Sequence, residues 1–264
     1  MNKTEFQEFV WQKGRELYRD MPWRDEPTLY NVLVSELMLH QTQVARVLIK
    51  FNEFMATFPS IKELAEASLA DVLRVWQGLG YNRRAKFLHE AAKQIVTSGK
   101  LPNTTEQLVA LPGVGRNTAA AIMNYVYEAP TAYVETNIRT VYFQHFFNQK
   151  IDVADREILK LVEQTMDREH PREWFWALMD YGADLKSRGE GRLRMSKHYK
   201  KQSLLVGSRR EMRGRIVTAL AVRSRTKREL QHIVHADERF DTALEHLMNE
   251  GMIGVTGSMI HLTS

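Results

Sequence analysis

The sequence contains no cysteine among its 264 residues. Disulfides, zinc sites built on thiolates and cysteine-ligated iron–sulfur clusters are therefore excluded, and the composition fits a reducing cytoplasm. A run of about eighteen apolar residues is also lacking, so no transmembrane helix is expected. The N-terminal stretch has acidic residues and no apolar core, which argues against a secretory signal. With 44% hydrophobic and 26% charged residues, a soluble globular protein with a sizeable core is expected.

Charge is unevenly distributed along the chain. Between Lys186 and Arg228, fifteen Lys or Arg residues stand against two Glu, a net charge of +13. Because the whole chain carries only +5, the rest of it carries −8. Such segregation predicts a polyanionic partner, with DNA, RNA or an anionic membrane as candidates, while a solvated basic linker is the alternative.

Composition and periodicity divide the chain into three predicted parts. Helical spacing of apolar residues predicts a mainly α domain over 1–186. The segment 187–210 is basic, contains three glycines and has little periodicity, so it is predicted to be a linker or arm. Three helices and a hairpin predicted over 211–264 resemble a winged helix, in which the third helix can enter a major groove.

Apolar spacing also predicts individual elements. Helices are expected at Tyr30–Leu39, Ala85–Val96, Glu106–Leu111, Arg116–Val126, Asn137–Phe147, Asp155–Glu169 and from Pro171 to near Lys186. One continuous helical face is expected through Leu64, Leu69, Leu73 and Trp76. Near the C-terminus, Thr226 is the predicted N-cap of a helix with Glu229 in the capping-box position, and a hairpin turn is expected at Thr256-Gly257-Ser258.

The strongest local motif is Leu111-Pro-Gly-Val-Gly-Arg-Asn-Thr118. Two glycines two residues apart allow a tight turn with backbone N–H groups projecting at the start of the next helix. Those amides and the positive end of that helix suit a phosphate oxygen. An ordinary turn between two helices is the alternative interpretation.

Glu36 lies on a predicted helix that is otherwise almost entirely apolar. A carboxyl group in such surroundings would have a raised pKa and could stay protonated near neutral pH. That is the state required of a general acid that protonates a leaving base. The alternative is a glutamate at the helix edge that pairs with an arginine.

Several motifs occur in a fixed order: Pro22-Trp-Arg24, Ser35-Glu-Leu-Met-Leu-His-Gln-Thr-Gln-Val44, Trp76-Gln-Gly-Leu-Gly-Tyr81, the glycine hairpin, Val134-Glu-Thr-Asn-Ile-Arg139 and Ala177-Leu-Met-Asp-Tyr-Gly-Ala183. Together they resemble the helix-hairpin-helix DNA glycosylases of the endonuclease III superfamily, most closely the MutY-type adenine glycosylases. The resemblance spans about Trp23 to Lys186. It implies that the protein binds double-stranded DNA containing a damaged or mismatched base, with contacts at Leu111, Gly113, Gly115, Arg116, Asn117 and Thr118.

The resemblance also implies the catalytic residues. In the superfamily a carboxylate, usually aspartate, lies eighteen residues beyond the position after the hairpin's basic residue, which gives Glu135 here. Its negative charge would stabilise an oxocarbenium-like sugar, and Asn137 would orient water or the deoxyribose. Asn117 occupies the position of the Schiff-base lysine of bifunctional members, so a monofunctional enzyme is expected. Glu36 matches the catalytic glutamate of MutY-type enzymes.

Base excision requires the nucleotide to be flipped out of the stack. By resemblance, Gln41 would fill the resulting gap, and Tyr81 and Arg83 would support the lesion-containing strand. His40 stands where MutY-type enzymes usually have glutamine, and it either borders the lesion or faces solvent. Trp23 and Trp76 are expected to be core aromatics.

Two parts of a MutY-type protein have no counterpart in the sequence. The cysteine loop of the iron–sulfur cluster is replaced by the basic stretch 187–210, so no cofactor is expected. The Nudix-like C-terminal domain is replaced by the shorter segment 211–264. A monomer located in the cytoplasm, at the nucleoid of a prokaryote, is expected.

Three functions remain open from the sequence. The first is a monofunctional glycosylase that removes adenine mispaired with 8-oxoguanine or guanine. The second is a mismatch-specific uracil or thymine glycosylase of the same fold, which would not depend on a protonated Glu36. The third is a non-catalytic DNA-binding protein.

Overall fold

A computed structural model describes residues 2–147, 150–197, 199 and 204–263. The chain forms two compact units, and α3 contributes residues to both. Unit 1 comprises the described residues of Met1–Leu33, Pro102–Ala110 and Val114–Lys201, and unit 2 those of Val34–Leu101, Leu111–Gly113 and Gln202–Ser264. The linear division at 186 and 210 stays a prediction, and residues 198 and 200–203 of the expected basic arm lie outside the described residues.

Helices dominate both units, as predicted. In chain order they are α1 (Lys3–Leu17), α2 (Pro22–Asp25), α3 (Leu29–Leu39), α4 (Val44–Thr57), α5 (Ile61–Glu66), α6 (Leu69–Val75), α7 (Arg83–Ser98), α8 (Thr105–Val109), α9 (Arg116–Tyr125), α10 (Thr136–Phe146), α11 (Asp155–Thr165), α12 (Pro171–Ser187), a 3-10 turn (Leu193–Met195), α13 (Arg209–Val222), α14 (Lys227–Ile233) and α15 (Phe240–Asn249). No helix in the described part of the chain is long and apolar enough to cross a membrane.

The core of unit 1 forms where α12 packs against α1 and α10. Phe6 of α1 lies at its centre, with its ring centroid 5.3 Å from that of Tyr142 and 6.1 Å from that of Trp174. All three side chains are fully buried. Aromatic side chains of this size contribute a large part of core stability because each removes a large apolar area from water.

A buried ion pair joins the motif Pro22-Trp-Arg24 to the motif Ala177–Ala183 of unit 1. Arg24 donates to both carboxylate oxygens of Asp180, over 2.7 and 2.9 Å, and Arg19 adds a third bond of 2.6 Å. Arg24 and Asp180 are 6% and 2% exposed. Since removing one member of a buried pair leaves an uncompensated charge, these two residues fix the start of the chain on α12.

Unit 2 contains α4 to α7 together with the C-terminal elements. Here α5 and α6 pack on α7, and α13 packs on α6 and α15. Trp76 is fully buried, and its indole N–H donates to the carbonyl of Gly80. Trp23 of unit 1 is also buried, so the prediction that both tryptophans are core residues is confirmed.

A small antiparallel sheet closes the C-terminal part of unit 2. Its strands are β1 (Arg225–Thr226), β2 (Ile253–Thr256) and β3 (Met259–Leu262), in the order β1-β3-β2. Ile253 pairs with Leu262 and Thr256 with Met259, which places the turn at Gly257-Ser258 as predicted. The order of helices and strands agrees with a winged helix, although membership of that class stays a prediction. β1 was not predicted.

The predicted N-cap at Thr226 is confirmed. The hydroxyl of Thr226 accepts from the amide of Glu229, and the Glu229 carboxylate accepts from the amide of Thr226. This reciprocal pair satisfies two backbone donors that a helix start would otherwise leave unbonded.

Candidate active site

The hairpin after α8 depends on glycine at position 113. Gly113 has φ of +75°, and a Cβ added there would lie 2.7 Å from Cβ of Phe87. Both the backbone conformation and the packing therefore require glycine. The sequence motif is confirmed as a tight turn at this residue.

Gly115 has a different reason to be glycine. It is the N-cap of α9 with extended φ and ψ, and a Cβ added there would meet nothing within 4 Å. Neither packing nor conformation explains the absence of a side chain. The N-cap residue Gly115 has no side chain that could cap α9, so its bare backbone, at the positive end of the helix, suits a phosphate oxygen that approaches closely.

The two glycines give a matched pair of variants. We expect Gly113→Ala to lower the free energy of unfolding by about 1–3 kcal/mol, because the new methyl group is both strained and in collision with Phe87. We expect Gly115→Ala to leave thermal stability unchanged and to weaken duplex binding by about tenfold, or 1.4 kcal/mol. Thermal unfolding and fluorescence anisotropy measure the two effects. Wild-type DNA affinity in Gly115→Ala would exclude close phosphate contact there.

The other predicted hairpin contacts differ in exposure. Leu111 and Thr118 are 5% and 3% exposed, so only their backbones are available to a ligand. Arg116 and Asn117 are exposed. The side-chain amide of Asn117 donates to the carbonyl of Val134 over 2.7 Å, and this bond ties the start of α9 to the segment that precedes Glu135.

A pocket of about 650 Å³ in unit 1 is lined in part by Arg116, Asn117 and Val134. Glu135 and Asn137 are not among its lining residues. The cavity therefore adds nothing to the placement of the two predicted catalytic residues in unit 1.

Glu135 is the N-cap of α10, and its carboxylate folds back over the helix start. Its Oε1 accepts from the amides of Asn137 and Ile138, over 2.5 and 3.0 Å. No hydrogen bond to Oε2 is present within the described residues. A glutamate thus makes the cap that an aspartate would make at this position, which accommodates its extra methylene group.

The electrostatic environment of Glu135 has two opposing parts. Burial raises the pKa of its carboxyl above the ordinary value. The amides of Ile138 and Asn137 and the charges of Lys186 and Arg139 act in the opposite direction. Burial also lowers the pKa of Lys186, a residue that sequence reasoning treated only as a domain boundary.

Asn137 is held in the first turn of α10 by close packing of α12. A Cβ added at Gly182 would lie 2.3 Å from the carbonyl oxygen of Asn137, so the two backbones are in contact. The Asn137 amide nitrogen lies 3.7 Å from Sδ of Met179. Its buried Oδ1 has no hydrogen-bond partner among the described residues, and it is therefore an acceptor available to a water or a hydroxyl group.

Glu36 lies in the last turns of α3 and is half-buried, between the buried residues Ser35 and Leu37. The end of this helix is fixed by the buried Arg84, whose Nη1 donates to the carbonyls of Leu37, Met38 and His40 over 2.7 to 2.8 Å. Because these carbonyls would otherwise lack partners, Arg84 sets where α3 ends.

Gln41 and Tyr81, both predicted to contact the flipped strand, adopt left-handed backbone conformations. Their φ values are +57° and +48°. For residues other than glycine this conformation costs roughly 1–2 kcal/mol, and such strain clusters at functional sites. Glu128, Asp152, Arg192 and His235 also have positive φ, so the conformation by itself assigns no role to either turn.

Arg84 connects these two strained turns. Besides the α3 carbonyls, its Nη2 donates to Thr42 Oγ1 at 3.1 Å and to the carbonyls of Leu79 and Gly80 at 3.2 and 3.1 Å. Burial lowers the pKa of Arg84 to about 10, which leaves the guanidinium charged at neutral pH. One side chain therefore holds both the Gln41 turn and the Tyr81 turn.

From the sequence, Arg83 was selected as the functional arginine after Tyr81, and the adjacent Arg84 was missed. Arg83 is exposed, and its guanidinium pairs with Glu250 at 2.8 Å. A signal was present, since Arg84 shares the inward face of α7 with the apolar residues Leu88, Ala91 and Ile95 at helical spacing.

His40 lies at the end of α3 and is exposed. Desolvation and the positive charge of Arg84 lower the pKa of its imidazole below the ordinary value. The lowered pKa favours the neutral imidazole, which offers one donor and one acceptor to a neighbouring group.

The region that carries these motifs is similar to known proteins. Residues 34–165 match the family described as HhH-GPD superfamily base excision DNA repair protein. The chain is 40% identical over 173 residues to the adenine DNA glycosylase of Mycobacterium tuberculosis (strain ATCC 25618 / H37Rv), covering 63% of this chain and 57% of that protein. It is 37% identical over 179 residues to the adenine DNA glycosylase of Homo sapiens, covering 62% and 33%. The chain thus spans about a third to somewhat more than half of these relatives.

Solved structures show the same fold. A thermostable thymine-DNA glycosylase superposes with a TM-score of 0.60 at 22% identity, over 69% of this chain and 86% of that one. A trapped endonuclease III–DNA covalent intermediate superposes with a TM-score of 0.57 at 16% identity, over 70% and 86%. At these identities the likeness concerns the fold alone.

The resemblance predicted from the ordered motifs is therefore confirmed at the level of family. The family match covers half of the chain and includes Glu36, the Tyr81 turn, the glycine hairpin and Glu135. This chain belongs to the HhH-GPD superfamily of base excision DNA repair proteins.

Proposed function

We propose that this chain is a monofunctional DNA glycosylase of base excision repair that removes adenine from a mispair with 8-oxoguanine or guanine. The observation that carries the proposal is the carboxylate of Glu135, fixed by two amides at the start of α10 beside the unpartnered Oδ1 of Asn137. Relatives at 37% and 40% identity are adenine DNA glycosylases, which favours adenine over the pyrimidines.

The proposed reaction breaks the bond between C1′ of deoxyribose and N9 of adenine. The electron pair leaves with the base, and Glu36 would donate a proton to N7 so that adenine departs as a neutral molecule. The sugar gains oxocarbenium character, which the anionic Glu135 stabilises through Oε2. Water then adds to C1′ and releases a proton to the solvent, and the Oδ1 of Asn137 is an acceptor suited to orient this water. The products are free adenine and an abasic site.

Strand cleavage is not part of this proposal. A lyase of this superfamily needs an amine that forms an imine with the abasic sugar. At the corresponding position Asn117 offers an amide, which is not nucleophilic and which is bonded to the carbonyl of Val134. The abasic site would therefore remain intact until another enzyme acts on it.

Double-stranded DNA is the proposed partner. The amides of α9 and the bare backbone of Gly115 would hold a phosphate, and the strained Gln41 would enter the space left by the flipped base. Arg116 is exposed beside the phosphate position. The monomeric state, the nucleoid location and the lack of a cofactor stay predictions.

A single-turnover comparison of Glu36→Gln and Glu135→Gln tests the choice of base. Duplexes would contain A opposite 8-oxoguanine, A opposite G, U opposite G or T opposite G, and alkaline cleavage would report abasic sites. We expect wild-type activity on the adenine duplexes only, lowered at least about a hundredfold by either substitution, with no strand break before alkali. Excision of uracil or thymine that survives Glu36→Gln would instead identify a pyrimidine glycosylase. Duplex binding without abasic sites on any substrate would identify a non-catalytic protein.

A further inference from the structure

The C-terminal part of unit 2 is attached by side chains to one short stretch of the same unit. Polar contacts join residues 74–86, here called the docking segment, to α13 and to the residues around Glu250. They are Arg74 to the carbonyl of Ala221 (3.0 Å), Thr218 to Gln77 (2.6 Å), Arg210 to Tyr81, Arg83 to Glu250 (2.8 Å) and Lys86 to the carbonyl of Glu250. This stretch includes Tyr81 and Arg83, the two residues expected to support the lesion-containing strand.

The ring of Tyr81 makes cation–π contacts with two guanidinium groups. The Cζ atom of Arg84 is 5.4 Å from the centroid of the tyrosine ring, and that of Arg210 is 4.8 Å from it. Arg210 also donates a hydrogen bond to the Tyr81 hydroxyl. Arg84 holds the backbone of this turn, whereas Arg210, at the start of α13, holds the side chain.

A second anchor lies close by in the sequence, at Glu250. Its carboxylate accepts from Arg213 over 3.0 and 2.5 Å and from Arg83 over 2.8 Å. Burial alone would raise the pKa of Glu250, but the hydrogen bond from Arg213 and the charges of Arg213 and Arg83 outweigh it and lower the pKa. Because Arg213 lies one turn after Arg210 on α13, this ion pair fixes the helix that carries Arg210.

Near Arg210 the surface suits a polyanion. Arg209 is exposed at the first position of α13, and the nearby carboxylate of Glu211 is already bonded to Arg215 and Arg239. A nucleic acid strand that reached Tyr81 would therefore meet positive charge at the start of α13.

We propose that Arg210 is a positioning residue for Tyr81, so that the C-terminal part of unit 2 belongs to the surface that distinguishes a mispaired site from ordinary duplex. This proposal rests on the proposed function for its substrate. Tyr81 pays a conformational cost for its left-handed backbone, and the bond and cation–π contact with Arg210 offset that cost. Without Arg210 the Tyr81 side chain would lose this hydrogen bond and this cation–π contact, so lesion binding would have to supply more of the free energy that orders it.

The test compares Arg210→Ala, Arg210→Lys and a control, Arg223→Ala. Arg223 follows the last residue of the same helix, is exposed, and has an ion pair of only 3.7 Å with Glu229. The first measurement is amide hydrogen exchange over residues 79–83 in the DNA-free protein. We expect exchange at least about tenfold faster in Arg210→Ala, an intermediate rate in Arg210→Lys because lysine keeps the charge but not the planar fork, and no change in Arg223→Ala.

The second measurement is the ratio of affinities for a duplex with A opposite 8-oxoguanine and for a matched duplex of the same length. We expect Arg210→Ala to lower this ratio about tenfold, and to have no further effect in a Tyr81→Ala background, as a double-mutant cycle would show. Unchanged exchange over residues 79–83, or an equal loss of discrimination in Arg223→Ala, would overturn the proposal. If the wild type excised no base, the proposed function would fail, while exchange and binding would still decide the role of Arg210.

Discussion

Replacement of Glu135 by glutamine is expected to lower the single-turnover rate of base excision by roughly 10²–10³-fold, while the protein remains as stable as the wild type or becomes more stable. The rate falls because the neutral amide no longer stabilises positive charge on the sugar. Stability is retained because the Gln carbonyl can still accept from the amides of Asn137 and Ile138, and because a half-buried charge is removed. Glu135→Asp, which keeps both the charge and the cap, should retain activity within about tenfold of the wild type.

The pH dependence follows from the direction of the pKa shift. Burial raises the pKa of Glu135 in the folded protein, so its contribution to stability is fully present below the unfolded pKa. That contribution is lost as the pH rises through the higher folded value. The stability of Glu135→Gln relative to the wild type should therefore increase with pH from the acidic range upward, as urea unfolding at a series of pH values would show.

The rate of excision should rise with pH, whereas the contribution of Glu135 to stability falls. Because the reaction needs the ionised carboxylate, the wild-type rate should fall as the pH drops through the raised pKa.

Glu157→Gln is a matched control for stability, since a hydrogen bond from Lys150 lowers the pKa of the Glu157 carboxyl. There the sign is reversed, and the substitution should cost stability above the ordinary carboxyl pKa. The same pH trend in both variants would contradict the assignment for Glu135.

Of the substitutions proposed, Arg84→Ala should lower the free energy of unfolding the most. Its guanidinium makes six hydrogen bonds, to Leu37, Met38, His40, Thr42, Leu79 and Gly80. Loss of this buried cation would leave several carbonyls without a donor, and we expect the free energy of unfolding to fall by about 3–5 kcal/mol. Denaturant unfolding measures the change.

Arg83→Ala is the control for this prediction. Arg83 is the adjacent residue and carries the same charge, but it is exposed and pairs with Glu250 at the surface. Its loss should cost at most about 1 kcal/mol. Arg84→Lys should fall between the two, because an ammonium group has only three donors for the same acceptors. Equal losses for Arg83→Ala and Arg84→Ala would contradict the central structural role of Arg84.

Much of the local structure was predictable from the sequence. The glycine hairpin, the cap at Thr226 and the turn at Gly257-Ser258 follow from residues that are neighbours in the chain, and all three are present. The helix that carries Glu36 was expected at Tyr30–Leu39 and spans Leu29–Leu39. Apolar periodicity and capping chemistry act over a few residues, so they can be recognised without knowledge of the tertiary fold.

The prediction of one continuous helical face was wrong because the cap of a second helix interrupts it. A continuous face from Leu64 to Trp76 was expected, but α5 ends at Glu66 and α6 begins at Leu69. The hydroxyl of Ser68 accepts from the amide of Asp71 and starts the second helix. The spacing of Ser68 and Asp71 is a capping signal that the apolar pattern concealed.

Contacts distant in sequence could not be predicted. The six acceptors of Arg84 lie up to 47 residues away along the chain, and Arg210 lies 129 residues from Tyr81. Charge pattern indicated that the region after Lys186 is basic, but it did not indicate that one arginine of this region would hold a tyrosine of the docking segment. Such pairings depend on the tertiary fold, because each charged side chain had many possible partners of suitable chemistry.

The most direct test of the proposed function is the mass of a DNA strand after one turnover. The substrate is a duplex with a single adenine opposite 8-oxoguanine, incubated with excess wild-type protein and analysed intact, without alkali. We predict a strand that has lost adenine and gained water, with free adenine in solution and no cleavage, and an unchanged strand with Glu135→Gln. An unchanged mass with the wild type, or strand fragments produced by the wild type without alkali, would contradict a monofunctional adenine glycosylase.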